Sequence, residues 1–372
     1  MKQKPVLLAL TIAILTAAAH GDDFDSDYLW DHPDEVRVSM DSLAFGDDKY
    51  GPAKNESIFI MSFFNDGWVL MYSLFHIDHK FFDRWGMYAL IADPSGRAYW
   101  KTLIVKAKNI ELGENQLSFT DGTNRIEGKD GTYRLVADFD GFSCDLVFSG
   151  YLPAWKPGTG QEHYTEDGKH FQYKAVFLPW AQTSGSLSVD NRTVSVVGHG
   201  YGEKSLFVNP FTRHQPNLHA LRLYTPFETP RDEGFHFGLH EPTLNKAYDY
   251  RKLPRLVGIR GSSWLFTTRD YVFEPIETAT PDYAAYGYPT RFRLSADANG
   301  YILDGIVSES VFFHYTDVLE SLPRWIRSIL LVFFNRPVYF RYVAEFVGTL
   351  TMPDGAVREL HLRGPYEYVM SQ

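Results

Sequence analysis

Two tandem antiparallel β-barrels in one all-β chain are what this sequence predicts, on three observations. Strand-length runs recur with turn signals between them, one run is apolar on both of its faces, and the block at 134–145 returns at 293–304.

The runs come first. Tyr133, Leu135, Ala137 and Phe139 alternate with Thr132, Arg134 and Asp138. Phe142, Cys144, Leu146 and Phe148 then alternate with Ser143, Asp145 and Ser149. Asp140-Gly141 between them is a two-residue hairpin signal. Similar runs are Ser57–Phe63, Trp68–His76, Met87–Ala92, Ala98–Val105, Leu187–Val197, Asn217–Tyr224, Arg291–Ala296, Tyr301–Val307 and Val338–Thr351. Asn65-Asp66-Gly67, Asp121-Gly122, Asp167-Gly168, Asn299-Gly300 and Asp354-Gly355 supply turn chemistry. Short strands at even spacing point to a sandwich or barrel, not to a parallel α/β sheet.

Trp68 to Leu74 has no polar face. Such a strand lies either between a barrel interior and an outer covering or in the core of an ordinary sandwich. The repeat favours duplication. Arg134-Leu135-x-Ala137-Asp138-x-x-Gly141-Phe142-x-x-Asp145 returns as Arg293-Leu294-x-Ala296-Asp297-x-x-Gly300-Tyr301-x-x-Asp304. Phe171-Gln172-Tyr173 echoes Phe340-Arg341-Tyr342, and Gly185-Ser186-Leu187-Ser188 echoes Gly348-Thr349-Leu350-Thr351. Three matches in order divide the chain into similar units at 22–203 and 204–372.

Residues 1–21 read as a signal peptide: Lys2 and Lys4, the apolar run Val6–Ala19, then small residues at Ala19 and Gly21. The expected product is exported, to the periplasm of a Gram-negative cell and otherwise secreted. The net charge of −10 becomes more negative once both lysines leave, and no basic run offers a phosphate-binding surface, so a nucleic-acid partner is not expected. Cys144 is the single cysteine and has no internal disulfide partner. Stability must then come from burial, for which a 16% aromatic content is ample. Asp317 to Phe334 reads as a short amphipathic helix in the second unit. Leu322, Trp325, Ile326, Ile329, Leu330 and Phe333 share one side, with Arg324 and Arg327 beside them. It either plugs or flanks a barrel or makes transient contact with a membrane.

Several short elements fall in a familiar order: Gly67-Trp68, Trp85-Gly86-Met87-Tyr88, Pro153-Ala154-Trp155-Lys156-Pro157-Gly158, Trp180 with Ser184-Gly185-Ser186-Leu187, and Gly198-x-Gly200-Tyr201. In these the chain resembles the superfamily of hydroxyneurosporene synthase, a carotenoid hydratase, and the fungal survival-factor proteins. The resemblance implies two lipocalin-like (calycin-type) barrels packed together around a site for a hydrophobic ligand. The chain also departs from the pattern. Family members usually follow Gly-x-Gly-Tyr with a polar Asp/His cluster, whereas Gly200-Tyr201-Gly202-Glu203-Lys204-Ser205-Leu206 retains one carboxylate and lacks the two histidines and the tryptophan. That departure weighs against hydratase-like proton chemistry.

Two functions follow. The main reading is a binder or carrier of a hydrophobic small molecule, a lipid or isoprenoid, in the cell envelope. Tyr201, His219, Tyr224 and His236 are its ligand-binding candidates. The alternative is a hydratase, cyclase or isomerase that uses no cofactor. Such chemistry needs a proton donor beside an apolar pocket, typically a carboxylic acid with a raised pKa, and Glu203 is the candidate general acid. Asp304 is set aside because Asp145 repeats it. His199, His214, His219, His236, His240 and His314 form a histidine-rich set, but on a strand His236 and His240 share a face about 13 Å apart, too far for one metal. Neither HExxH nor paired CxxC occurs, so no metal site is expected, and no cofactor motif is present. Gly-x-Ser-x-Gly is absent, and Gly198-His199-Gly200-Tyr201-Gly202 lacks the context of a phosphate loop.

Overall fold

The computed structural model describes residues 54–79, 82–113, 117–156, 160–163, 171–208, 215–282, 284, 286–317 and 337–371. The expected signal peptide, the Asp167-Gly168 turn, His214 and the helix beyond Asp317 lie outside these residues.

The first sheet contains β1 (Lys54–Phe64), β2 (Val69–His79), β3 (Phe82–Ala92), β4 (Ala98–Val105), β5 (Glu111–Leu112), β6 (Leu117–Thr120), β7 (Arg125–Lys129), β8 (Thr132–Phe139), β9 (Phe142–Gly150), β10 (Gln161–His163), β11 (Phe171–Val189) and β12 (Arg192–Val208). Its order is β4-β3-β2-β1-β12-β11-β9-β8-β7-β6-β5, with β10 pairing β11. The second contains β13 (Asn217–Tyr224), β14 (Phe235–Thr243), β15 (Arg255–Arg260), β16 (Ser263–Thr268), β17 (Tyr271–Ala279), β18 (Tyr288–Ala298), β19 (Tyr301–Asp317), β20 (Pro337–Thr351) and β21 (Val357–Ser371). Its order is β16-β15-β14-β13-β21-β20-β19-β18-β17. All the pairings are antiparallel, and both sheets curl into lipocalin-like half-barrels, as the strand rhythm predicts. β12 continues through the 203/204 division, and the second sheet begins at Asn217.

Turn chemistry explains the hairpins. Asn299 and Gly300 have φ of 52° and 77° between Ala298 and Tyr301, the left-handed pair that a two-residue loop needs. Asp140-Gly141 likewise joins β8 to β9. One expected strand is two: Leu187–Val197 breaks at Asp190 and Asn191, both at positive φ, and Val189 pairs with Arg192 across a hairpin. Asp and Asn tolerate this conformation, so alternation of apolar residues on both sides concealed the turn.

The repeated block forms the same hairpin in both lobes. Arg134 bonds Asp145 at 2.7 Å, and Arg293 bonds Asp304 at 3.0 Å. All four side chains are about half exposed, so these are solvent-screened surface cross-strand pairs that add little to stability. The residues between them fill the two cores: Leu135, Ala137 and Cys144 in the first, Leu294, Ala296 and Leu303 in the second.

A third core explains the doubly apolar strand. In β2, Leu70, Tyr72 and Leu74 point into the first half-barrel, whereas Val69 and Met71 join Met61, Leu90, Val176, Trp180, Tyr224, Val257, Ile259, Phe313 and Val343. This cluster takes residues from both sheets. The outer faces of the half-barrels therefore pack against one another, sheet on sheet, and strands at that seam are buried on both sides.

Candidate functional site

The site lies on this seam and is built by glycine alternation in β12. Gly198, Gly200 and Gly202 face the first barrel, where an added Cβ at Gly200 would lie 2.2 Å from Thr183 Oγ1 and at Gly202 2.6 Å from the Phe177 ring. Their neighbours His199, Tyr201 and Glu203 face the second lobe. Irregularities in β11 around Leu178 turn both Phe177 and Leu178 into the barrel and leave Val176 and Trp180 on the seam. From the other lobe come Arg222 and Tyr224 on β13, His236 and His240 on β14, and Arg255 on β15.

Two groups meet there. The first is an ionic network. Lys174 Nζ donates to Glu203 Oε1 at 3.0 Å and lies 2.9 Å from His240 Nε2. Tyr201 Oη donates to Glu203 Oε2 at 2.5 Å. Arg222 Nη2 is 3.7 Å from the same oxygen, and its guanidinium lies 4.1 Å over the Tyr201 ring. Burial pushes the Glu203 carboxyl up, but Lys174 and Arg222 with two donated hydrogen bonds outweigh it, so the net shift is downward and the group is ionised. Burial also dominates at Lys174, and its ammonium loses its proton more readily than usual, although Glu203 opposes the shift. His240 is held neutral by burial and by the cations Lys174, Arg255 and Arg222. Its Nε2 is thus the acceptor for Lys174.

The second group is aromatic. His199 stacks on Tyr224 at 4.7 Å, and Tyr224 stacks on His236 at 4.5 Å. Trp180 Nε1 donates to His199 Nδ1 at 3.1 Å, which fixes Nε2 of that ring as the donor to the Thr225 carbonyl. His236 donates from Nδ1 to the Leu223 carbonyl. Burial lowers these imidazoles to about 4 and about 3, so both are neutral. Between the groups, Tyr224 Oη and Arg222 Nε are buried without a hydrogen-bond partner among the described residues. Orphaned buried donors of this kind are costly unless something else satisfies them.

The structure brings Tyr201, Glu203, Tyr224 and His236 together. It puts His219 elsewhere: alternation along β13 turns that ring away from Arg222 and Tyr224, and it lies against Tyr366, Tyr368 and Phe273. His236 and His240 share the seam face, but one joins the ring stack and the other the ionic network. Trp180 was quoted only for the family resemblance, and Lys174, Arg222 and Arg255 were missed. Each sits in a strand with apolar residues around it, and a charged or polar residue in such a run was the available signal.

No protein-family model matches the chain, and no curated protein matches it in sequence. Solved structures do. A crystal structure of an AttH-type protein from Nitrosomonas europaea superposes with a TM-score of 0.61 at 12% identity, covering 96% of this chain and 99% of that one. CghA bound to Sch210972 gives 0.61 at 13% identity, covering 94% and 97%. Kievitone hydratase from Nectria haematococca gives 0.56 at 13% identity, covering 90% and 95%. At such identities the likeness is one of fold, and over nearly its whole length the chain has the tandem lipocalin-like fold of these three proteins.

Proposed function

We propose that the chain is an enzyme of the hydratase, cyclase or isomerase type, working without a cofactor on an apolar substrate held between the lobes. The observation that carries this is the buried Lys174–Glu203–Tyr201 network beside the unsatisfied Tyr224 Oη and Arg222 Nε. A carrier needs apolar volume and a few polar anchors. It has no use for an ionised carboxylate and a proton-labile ammonium held 3.0 Å apart in the protein interior, an arrangement that is costly to bury and suited to proton transfer. Proteins of the same fold whose names point to such work, kievitone hydratase among them, support the same choice.

The roles differ from those expected of Glu203 alone. Adding water across a double bond conjugated to a carbonyl needs one proton delivered and one removed. Lys174 Nζ delivers the first. Glu203, already a carboxylate, takes the proton from the attacking water. Transfer from Glu203 back to Lys174 across their hydrogen bond restores the starting state. His240 Nε2 and Tyr201 hold the pair in place, and the His199–Tyr224–His236 stack offers a ring-shaped apolar wall.

The test uses purified protein in D₂O with a panel of ring-bearing α,β-unsaturated ketones, read by mass spectrometry. Deuterium enters the product if the site moves protons. Glu203→Gln and Lys174→Met should each lower the rate roughly 10²–10⁴-fold while the substrate still binds. Recovery of every compound bound but unlabelled would replace this reading with the carrier.

A further inference from the structure

The internal repeat carries a second consequence at the same seam. Ala181 pairs with Gly200 across β11 and β12, and Ala344 pairs with Gly364 across β20 and β21. These pairs are equivalent, because Ala181 and Ala344 each stand four residues before their copy of the Gly-Ser/Thr-Leu-Ser/Thr echo. Three residues further along β12 and β21 stand Glu203 and Glu367. Each lobe thus puts a carboxylate at the same point of the same strand, and the likeness extends to its partners. Glu203 binds Lys174 of the neighbouring strand, and Lys174 reaches across the seam to His240. Glu367 binds Arg341 of the neighbouring strand at 2.5 Å, and Arg341 Nη1 reaches across the seam to Tyr88 Oη at 3.3 Å.

The two centres stand in one row. In the second sheet His240, Ala220, Glu367 and Arg341 are successive register partners. In the first, Glu203, Phe59, Ser73 and Tyr88 are. Both rows cover three strand spacings, about 14 Å. They differ in access. Lys174, Glu203 and Arg222 are buried, whereas Tyr88 is half-buried and Trp100, tilted on the rings of Tyr88 and His314, is 48% exposed. Arg341 commits Nε and Nη1 to Glu367 and Tyr88, and the two N–H donors of Nη2 have no partner among the described residues. Along the same seam runs a groove of about 240 Å³ with one apolar wall, of Val69, Ala92, Val311, Phe313 and Val343, and with Asp66, Asp93 and Arg363 also lining it.

We propose that Tyr88, Trp100 and Arg341 form a second binding centre, which takes a neutral ring compound through a carbonyl or hydroxyl oxygen. Trp100 stacks on the ring, Arg341 and Tyr88 bond the oxygen, and the apolar wall of the groove receives the remainder. Charge decides between a neutral oxygen and a carboxylate. Glu367 already neutralises Arg341 inside the protein, so an anion would enter without a counter-ion, which burial penalises. His314 cannot supply one, because burial lowers its imidazole to about 3 and keeps it neutral.

Calorimetric titration of the full chain with β-ionone, a neutral ring-bearing ketone, and with cinnamate, an aromatic carboxylate, tests this. Trp100→Ala and Tyr88→Phe should each weaken β-ionone about tenfold, with thermal midpoints near the parent value, and cinnamate should bind more weakly than the ketone. A preference for cinnamate overturns the proposal. So does β-ionone affinity that is unmoved by both variants, or no ketone binding at all. If affinity instead responds to Lys174→Met and not to Trp100→Ala, the ketone sits only at the first centre. The second centre is then refuted, and the proton-transfer reading is untouched.

Discussion

At the residue scale the seam holds ionised groups that burial would ordinarily forbid and histidines that burial keeps neutral, and each has a measurable consequence. Glu203→Gln leaves Lys174 without its carboxylate in a buried site, so the substitution should cost about 3–5 kcal/mol in chemical denaturation. Replacing both partners, Glu203→Leu with Lys174→Met, should cost less than the two single changes added together, because no unpaired charge remains. The histidines set the pH response. Burial depresses His199 to about 4 and His219, His236 and His314 to about 3. Unfolded, they take up protons near pH 6.5; folded, they refuse them until well below. The unfolded chain therefore binds more protons between about pH 6.5 and 4, and stability falls as pH falls through that window. Melting temperatures measured from pH 7.5 to 4.5 should drop by an amount equivalent to on the order of 1 kcal/mol per histidine per pH unit, before most carboxylates titrate. A flat profile would mean that these rings are solvated.

At the element scale, β12 carries two patterns at once. Its glycines serve the barrel and its intervening side chains serve the seam. A methyl group at Gly202 would meet the Phe177 ring, so Gly202→Ala should destabilise the protein by about 1–3 kcal/mol through overpacking. Phe177→Leu in the same chain should recover part of that loss, and a denaturation cycle over the four variants would detect the coupling. Additivity would place the strain elsewhere. The same element shows how much of the site was legible. Gly198-x-Gly200-Tyr201-Gly202-Glu203 was recognisable as a functional stretch, and Tyr201 and Glu203 were chosen from it. Why the glycines alternate was not legible, because Thr183 and Phe177, which require them, belong to another strand.

At the scale of the whole molecule, neither lobe has a finished surface. Residues 54–208 alone would expose Met61, Met71, Leu90 and Trp180, and the second lobe would expose Tyr224, Val257, Ile259 and Val343. Arg222, His240 and Arg341 would lose their partners across the seam as well. A separately expressed first lobe should therefore bind a hydrophobic dye and aggregate, whereas the two lobes co-expressed should recover a soluble complex. A soluble, monomeric first lobe with an intact thermal transition would contradict the seam as a core.

Fold class, hairpins and duplication were determined by the sequence itself. They depend on neighbours: apolar alternation within a strand, Asn299-Gly300 or Asp140-Gly141 at its end, and a block repeated in order. The two apolar faces of Trp68–Leu74 were also written there, with two explanations. Only the tertiary structure chose between them, by laying the outer faces of the half-barrels together. It also decided the chemistry. Lys174 and His240 are 66 positions apart, and Tyr88 and Arg341 are 253 apart. No periodicity links such residues. Glu203 was visible as the one carboxylate retained after Gly-x-Gly-Tyr, where burial alone would raise its pKa. Its ionisation instead follows from Lys174 on the neighbouring strand together with Arg222 of the other lobe, and Arg222 reaches it only when the two sheets pack.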